Sequence, residues 1–403
     1  MRSVVSHHYW GSPGGGQLVC ASVTLALGEL GYRPVLAGTF KFNPSLYLEW
    51  YGIDLTKYET ITLPFSAKAF GLWSRLFVWY PTRKAIRRYR PGMVFLDEVT
   101  YKPLLRRKMF RLIEYIHFPY EVAIDPRFRG TGLAYGEDPY ITERYGRFPL
   151  SLYWKVYTWL LPRYMRENPF HAADVVFANS RWTASVAKMV YGEEPWVLNP
   201  PLPPNVEVVE RPRAFDEREP VVVMLGRFSQ EKRYHWVVRE VAPRLRREVS
   251  TARLVIFGGA ATPTLQAYYR RVWRLAVEAG LKVADSLSAE ADIYLIANAP
   301  RRLINEVIDG ARAFLHATIN EHWGIAVAEA MARGLPVVVH KSGGTWTDLA
   351  EEGRYGLGYE TAEEAVEALA KLLTQDAKFN TVEKAVELTY PKFLERFAKT
   401  LGL

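Results

Sequence analysis

The chain has 403 residues, 49% of them hydrophobic, enough to bury two cores and too many for one. A single cysteine, Cys20, excludes an intramolecular disulfide and with it a disulfide-stapled secreted scaffold. The formal charge of +9 is uneven: residues 1–200 carry 25 Lys+Arg against 16 Asp+Glu, whereas residues 201–403 carry 27 of each. A basic first half beside a neutral second half implies an anionic partner for the first, such as lipid headgroups, a lipid phosphate or nucleic acid, the plain alternative being a solvated surface. No apolar run reaches the roughly eighteen residues that a spanning helix needs, and the opening MRSVVSHHYWGSPGGG lacks the apolar core and cleavage pattern of a secretory leader. The scarcity of glutamine beside abundant Arg, Glu and Pro leans toward a thermophile.

In chain order, Ser3–Ser6 reads as a short strand, followed by a glycine loop, a helix over Gln17–Leu30 and a strand at Pro34–Ala37. Further strands are expected at Met93–Leu96, Leu112–Ile116 and Val175–Ala178, with amphipathic segments between them. That alternation predicts a parallel sheet covered by helices. The NPPLPP segment, Asn199–Pro204, can continue neither a helix nor an inner strand and reads as a linker. Beyond it the pattern restarts, with strands expected at Val221–Leu225, Leu254–Phe257, Ile293–Ile296, Ala313–Thr318 and Val337–His340, and one or two helices over Val382–Leu401. The stretches Phe70–Arg90 and Leu150–Arg166 mix Trp, Tyr, Leu and Arg. Such helices either lie in a lipid interface or cover a core with snorkelling arginines.

The most specific pattern is Glu321-His-Trp-Gly-Ile-Ala-Val-Ala-Glu329, two carboxylates bracketing a strand-to-helix turn. Gly324 permits the turn, and the amides of Gly324, Ile325 and Ala326 then form a helix N-terminus suited to phosphate. Glu321 precedes that helix and Glu329 sits about two turns into it. After the strand Val221–Leu225 comes GRFSQEKR, where Arg227 and Lys232 supply a planar fork and a point charge able to neutralise a departing diphosphate, though alone they would read as a basic turn. The cluster Ser12-Pro-Gly-Gly-Gly-Gln17 follows the first strand, and its glycines allow close approach of a phosphate or sugar. It is not G-x-G-x-x-G and no acidic residue ends a second strand about 20 residues on, which disfavours a dinucleotide there. His117, in Tyr-Ile-His-Phe-Pro, ends an apolar strand, so it is expected at a sheet's carboxyl edge. HKSGGTWTD, from His340 to Asp348, is a second glycine-rich turn after a strand. No Asp-x-Asp occurs and no Cys/His run has metal-ligand spacing, so no metal or other cofactor is expected.

The Glu-x7-Glu segment in this setting resembles the signature of retaining glycosyltransferases of the GT-B fold, family 4. Together with YIHFP, NSRWT from Asn179 to Thr183, NPP after a strand, INEHWGIAVAEAMA and HKSGG, it resembles within that family the GDP-mannose-dependent α-1,2-mannosyltransferases of asparagine-linked glycosylation. The sequence departs from them in lacking their N-terminal membrane anchor and in reading Thr-Trp-Thr where their last glycine pair is followed by a Pro-containing loop.

The resemblance implies an α/β fold of two Rossmann-like domains facing across a cleft: an acceptor domain over 1–203, a nucleotide-sugar domain over 204–381, and a terminal helix, 382–403, returning to the first. It implies Glu321 at the donor sugar near the reaction centre and Glu329 at the ribose. Arg227, Lys232, Gly15 and Gly16 are then at the diphosphate, and His117 orients hydroxyls. The base is expected near Ala297 and Asn298. The function expected is transfer of mannose from GDP-mannose to a lipid-linked or glycolipid acceptor by an enzyme held peripherally at the cytoplasmic membrane face, without nucleic acid. The alternatives are a UDP-sugar donor with a soluble acceptor, and a non-catalytic protein that binds anionic surfaces.

Overall fold

The computed structural model describes residues 1–64, 71–106, 108–123, 125–128, 130–133, 145–165 and 168–403. Phe70 and Arg166, at the ends of the two aromatic-basic stretches, lie outside them. The chain forms two compact units. The first runs to Val206 and resumes at Leu388–Leu403, and the second is Glu207–Glu387. The second division falls after Glu387 rather than before Val382, so the helix Thr381–Glu387 stays with the second unit and only Tyr390–Leu401 joins the first. There Phe397 meets Phe177 at 6.0 Å between ring centroids, and Arg111 donates to the carbonyl of Leu401.

The first unit holds a seven-stranded parallel sheet: β1 (Arg2–Ser6), β2 (Arg33–Ala37), β3 (Glu59–Ile61), β4 (Met93–Asp97), β5 (Arg111–Ile116), β6 (Val175–Ala178) and β7 (Trp196–Val197), in the order β3-β2-β1-β4-β5-β6-β7. The second repeats the plan with β8 (Glu219–Arg227), β9 (Arg253–Gly259), β10 (Val283–Ala284), β11 (Ile293–Ala297), β12 (Ala311–His316), β13 (Val337–His340) and β14 (Gly356–Tyr359), in the order β10-β11-β9-β8-β12-β13-β14. Central strands such as β4 (MVFLD) and β13 (VVVH) are near-continuous apolar runs because helices cover both faces of a parallel sheet. In each sheet the strand order reverses direction once, between β1 and β4 and between β8 and β12. The loops leaving the carboxyl ends on either side of that point diverge, which opens a crevice for a ligand.

The aromatic-basic stretches form helices Gly71–Phe77, Trp79–Tyr89 and Leu150–Met165, which cover a core with some of their aromatic side chains and expose others. Trp73, Trp79 and Trp154 pack on the core, while Phe77, Tyr80, Phe148, Leu152 and Trp159 are exposed. Arg163 lies 3.8 Å over the ring of Trp159, and Lys84, Arg87 and Arg88 are exposed on the second of these helices.

One core position carries an internal cost. Glu114 in β5 is 3% exposed and its Oε2 has no hydrogen-bond partner among the described residues. Burial, reinforced by Glu121 and Asp97, pushes its carboxyl well above the ordinary range, so the native state holds a proton that the unfolded chain releases near its usual value. Stability from this group is therefore complete below the unfolded value and is lost as pH rises toward the raised one. Glu114→Gln should melt higher than the parent by a margin that widens from about pH 5 to 8 in calorimetric scans. A margin constant over that range would show that Glu114 is ionised in the fold.

Candidate functional site

In the second unit the carboxyl edge gathers charge at the point where the strand order reverses. Lys232, in the short turn after β8, donates from Nζ to Oε2 of Glu321 at 2.6 Å, and His316 at the end of β12 lies 3.0 Å from the same oxygen through Nε2. Lys232 and Glu321 are about one-fifth exposed, and His316 is buried. Burial opposes the charge on Glu321, but Lys232 and then His316 prevail and hold its carboxyl well below the ordinary range. Burial lowers His316 despite Glu321, so its ring is neutral and must carry its hydrogen on Nε2 to donate to an ionised carboxylate. Both donors engage Oε2. Oε1 takes no hydrogen bond from the described residues and remains an acceptor for a hydroxyl.

The backbone around Glu321 is clamped by the glycine pair that follows β13. The amide of Gly344 donates to the carbonyl of Glu321 at 2.7 Å, and a Cβ on Gly343 (φ +75°) would stand 2.2 Å from that oxygen. Gly343, part of the second glycine-rich turn, is thus required by contact with Glu321 itself. Gly324 (φ +97°) caps the helix Ile325–Ala332, and a Cβ there would meet Thr345 at 2.5 Å. The first-turn amides of Ile325 and Ala326 have no intrahelical acceptor and stand at the positive end of the helix dipole, four and five residues after Glu321.

Glu329, 7% exposed, binds Arg301 at the start of the helix Arg301–Gly310, with Nη1 to Oε2 at 2.7 Å and Nη2 to Oε1 at 3.4 Å. Arg301 is half exposed and was not singled out in the sequence. Arg227 is 71% exposed and pairs with Glu231 at 3.2 Å, unlike the inward Lys232, so the two cations of the turn do different things in this state. Ala297 ends β11 and Asn298 follows it, both exposed. Asn298 adopts φ +55° and its Oδ1 accepts from the amide of Ala260 at 3.0 Å, which ties the turns after β9 and β11.

The first unit has its own cluster at its own reversal point. Asp97, at the end of β4, takes Nδ1 of His7 at 2.6 Å on one carboxylate oxygen and Nε2 of His117 at 2.7 Å on the other. Gly15 and Gly16 begin the helix Gly15–Glu29 beside it. A Cβ on Gly16 would come within 3.1 Å of His7 and 3.3 Å of His117, so any larger residue there would press on both rings. Burial works against the charge on Asp97, but His117 and His7 hold the carboxyl below its usual value. Burial likewise opposes the proton on His117, which Asp97 raises above the ordinary histidine range. The sequence pointed to His117 alone, and the acid ending a strand, Asp97, was the available sign of its partner.

Residues distant in sequence also meet here with metal-ligating atoms. His7, Cys20 and Asp97 form one group, and His8, Asp97 and Glu98 another. Asp97 is shared by two histidines, Glu98 pairs with Arg75 at 3.0 Å, and burial and then Asp97 hold the proton on the Cys20 thiol, while Nε2 of His7 is buried without a hydrogen-bond partner among the described residues.

Residues 206–388 match the family described as glycosyl transferases group 1, a span that coincides with the second unit. The human GDP-Man:Man(3)GlcNAc(2)-PP-Dol alpha-1,2-mannosyltransferase is 25% identical over 237 residues, 56% of this chain and 46% of that protein. Its counterpart from Dictyostelium discoideum is 22% identical over 358 residues, 84% of this chain and 67% of its own. The match to the human and Xenopus laevis proteins thus spans under half of their length, 46% and 42%. Among solved structures, Anabaena Alr3699/HepE in complex with UDP and glucose superposes with a TM-score of 0.63 at 16% identity, covering 100% of this chain and 98% of its own. Sucrose-phosphate synthase (tll1590) from Thermosynechococcus elongatus does so at 0.64 and 14%, covering 99% and 98%. These last likenesses define the fold. The second unit thus matches the group 1 glycosyltransferases, and the chain is an enzyme of the GT-B fold.

The pairing of Lys232 with Glu321 carries a testable pH signature. A carboxyl held low in the fold contributes stability that is present above the unfolded glutamate value and lost as pH falls through the folded one. Lys232→Met should therefore cost about 2 kcal/mol at neutral pH in urea titrations, and the deficit should shrink toward about pH 4 as Glu321 takes a proton. An equal loss at both pH values would mean that Lys232 acts through packing alone. Gly343→Ala should lower stability by at least about 2 kcal/mol through its positive φ and the contact with Glu321. A variant as stable as the parent would show that the turn relaxes freely.

Proposed function

We propose that this enzyme transfers a hexose, mannose from GDP-mannose, to a lipid-linked or glycolipid acceptor with retention of anomeric configuration, without a metal or other cofactor, while attached peripherally to the cytoplasmic face of a membrane. The observation that carries the reading is the Lys232–Glu321–His316 group beside the helix N-terminus at Gly324. Oε1 of Glu321 is left to accept a sugar hydroxyl, and Lys232 keeps N–H donors for a phosphate oxygen. The names of the relatives support the choice of mannose, of GDP and of a lipid-linked acceptor.

On this reading the amides of Gly324, Ile325 and Ala326, with Lys232 and Arg227, receive the diphosphate, and Arg227 swings from its exposed pairing with Glu231 to do so. Glu329 holds the ribose, sharing its oxygens between Arg301 and the ligand, and the base rests by Ala297 and Asn298. Gly15 and Gly16 contribute amides to the donor phosphates, and His117 orients hydroxyls of sugar or acceptor. The chain supplies position and fixed charge, while the leaving phosphate oxygen accepts the acceptor's proton.

Glu321→Ala should lower transfer about a hundredfold or more while the variant still unfolds cooperatively, as measured by mass analysis of lipid products after incubation with GDP-mannose. Near-parental transfer by that folded variant would remove Glu321 from the chemistry. In calorimetric titration GDP should bind in preference to UDP, and the reverse order would overturn the choice of donor.

Membrane attachment rests on the exposed aromatic residues Phe77, Tyr80 and Trp159 beside Lys84, Arg87 and Arg88. Among the described residues no helix is long and apolar enough to cross a membrane. The protein should float with anionic vesicles at low salt and detach as salt rises. Failure to float at low salt would exclude the peripheral attachment proposed.

A further inference from the structure

The second unit carries a separate collection of positive charge at the opposite, amino-terminal edge of its sheet, away from the loops that hold Glu321. A hollow of about 230 Å³ lies among the segment leading into β8, the starts of β12 and β13, and the turn after the helix Ala362–Thr374. Arg213, Arg218, Arg312 and Lys378 line it, against one carboxylate, Asp376.

Arg218 is 6% exposed, and its three nitrogen positions donate to the carbonyls of Arg213, Ala311 and Gly334 at 2.9, 3.1 and 3.1 Å. It has no carboxylate at ion-pair distance among the described residues. The acidic groups that favour its charge are engaged elsewhere, Asp309 by Arg333 and Glu217 by the amide of Ala214. Arg312 lies 3.9 Å over the ring of Phe215 and donates from Nη1 to the carbonyl of Leu373, yet its Nε is buried without an acceptor. Thr381, 1% exposed, likewise lines the hollow with a buried, unpartnered Oγ1. Buried cationic charge without a counter-charge is costly, and an unmade hydrogen bond beside it adds to that cost. A single anion with several acceptor oxygens would offset both.

We propose that this hollow is a second ligand site, specific for a phosphate or phosphate monoester and independent of the donor site. The exposed Arg213 and Lys378 hold the phosphoryl oxygens from the rim, and small turns of the Arg312 and Thr381 side chains bring their enclosed Nε and Oγ1 to those oxygens. Phe215, Leu372 and Phe379 give the walls an apolar surface against which the body of a monoester lies. Bidentate guanidinium geometry and compact ammonium charge are the groups that recognise phosphate.

Inorganic phosphate is the probe, compared with chloride at matched ionic strength by thermal melting and calorimetric titration. Phosphate should raise the melting temperature of the parent and of Lys232→Ala alike, because the site does not use the donor loop. The double variant Arg213→Ala/Lys378→Ala, altered only at exposed positions, should bind phosphate about tenfold or more weakly. Thr381→Val, which changes no charge, should weaken it further. No phosphate-specific rise, a rise that disappears in Lys232→Ala, or one that survives unchanged in Arg213→Ala/Lys378→Ala would overturn the proposal. None of these readouts depends on the donor or acceptor assigned above.

Discussion

A carboxylate kept ionised under partial burial is the constraint on which the second unit's site depends. Glu321 can hold its charge only because Lys232 and His316 reach one of its oxygens together, and each comes from a different strand end. Those strands, β8 and β12, are neighbours across the reversal of the sheet order, so their following loops separate and leave the other oxygen open. The same constraint reaches the backbone. Gly343 must lack a side chain for the amide of Gly344 to meet the carbonyl of Glu321, which fixes where the carboxylate points. Charge, topology and a missing Cβ are therefore three parts of one arrangement.

The first unit solves a related problem with the opposite distribution of charge. Its central acid, Asp97, is fully enclosed, and two histidines from different loops share the work of compensating it. Since His117 gives Nε2 to Asp97, its Nδ1 is the nitrogen left for any other partner, and the ring cannot rotate without breaking the pair. His117 alone, on a solvent-facing loop, would have neither a fixed tautomer nor a fixed direction. Asp97 is a positioning residue in that sense, and Gly16 gives the two rings their room.

Much of this was legible in the sequence, and what was not has physical causes. Central strands announce themselves because a parallel strand covered on both faces is apolar throughout, as in MVFLD and VVVH. The strands that escaped notice are short and peripheral: β3 with three residues, β7 and β10 with two each, and β14, which reads GLGY. Edge strands bury little, so their residues carry no pattern. Glu321, Lys232, His117 and the glycines could be named because they follow expected strands, where such folds hold ligands, and because their segments resemble those of a known family. Their partners could not. His316 and Arg301 look like ordinary polar residues until the fold brings them to their carboxylates, and Asp97 is marked only by its place at the end of a strand.

Arg301 shows how one contact can compensate a buried charge and still be displaceable. Its guanidinium spans both oxygens of Glu329, a residue only 7% exposed, while remaining half exposed itself. The pair keeps a nearly buried carboxylate from standing uncompensated, and the exposed end of the arginine lets it yield without disturbing the core. Arg227 with Glu231 is the looser version of the same device, an i,i+4 pair at the surface whose worth is small enough for a phosphate to displace. Lys232 differs from both because it is enclosed and its partner's charge depends on it. The three cations of this edge thus grade from displaceable to fixed, and only the fixed one can set the protonation state of the group it touches.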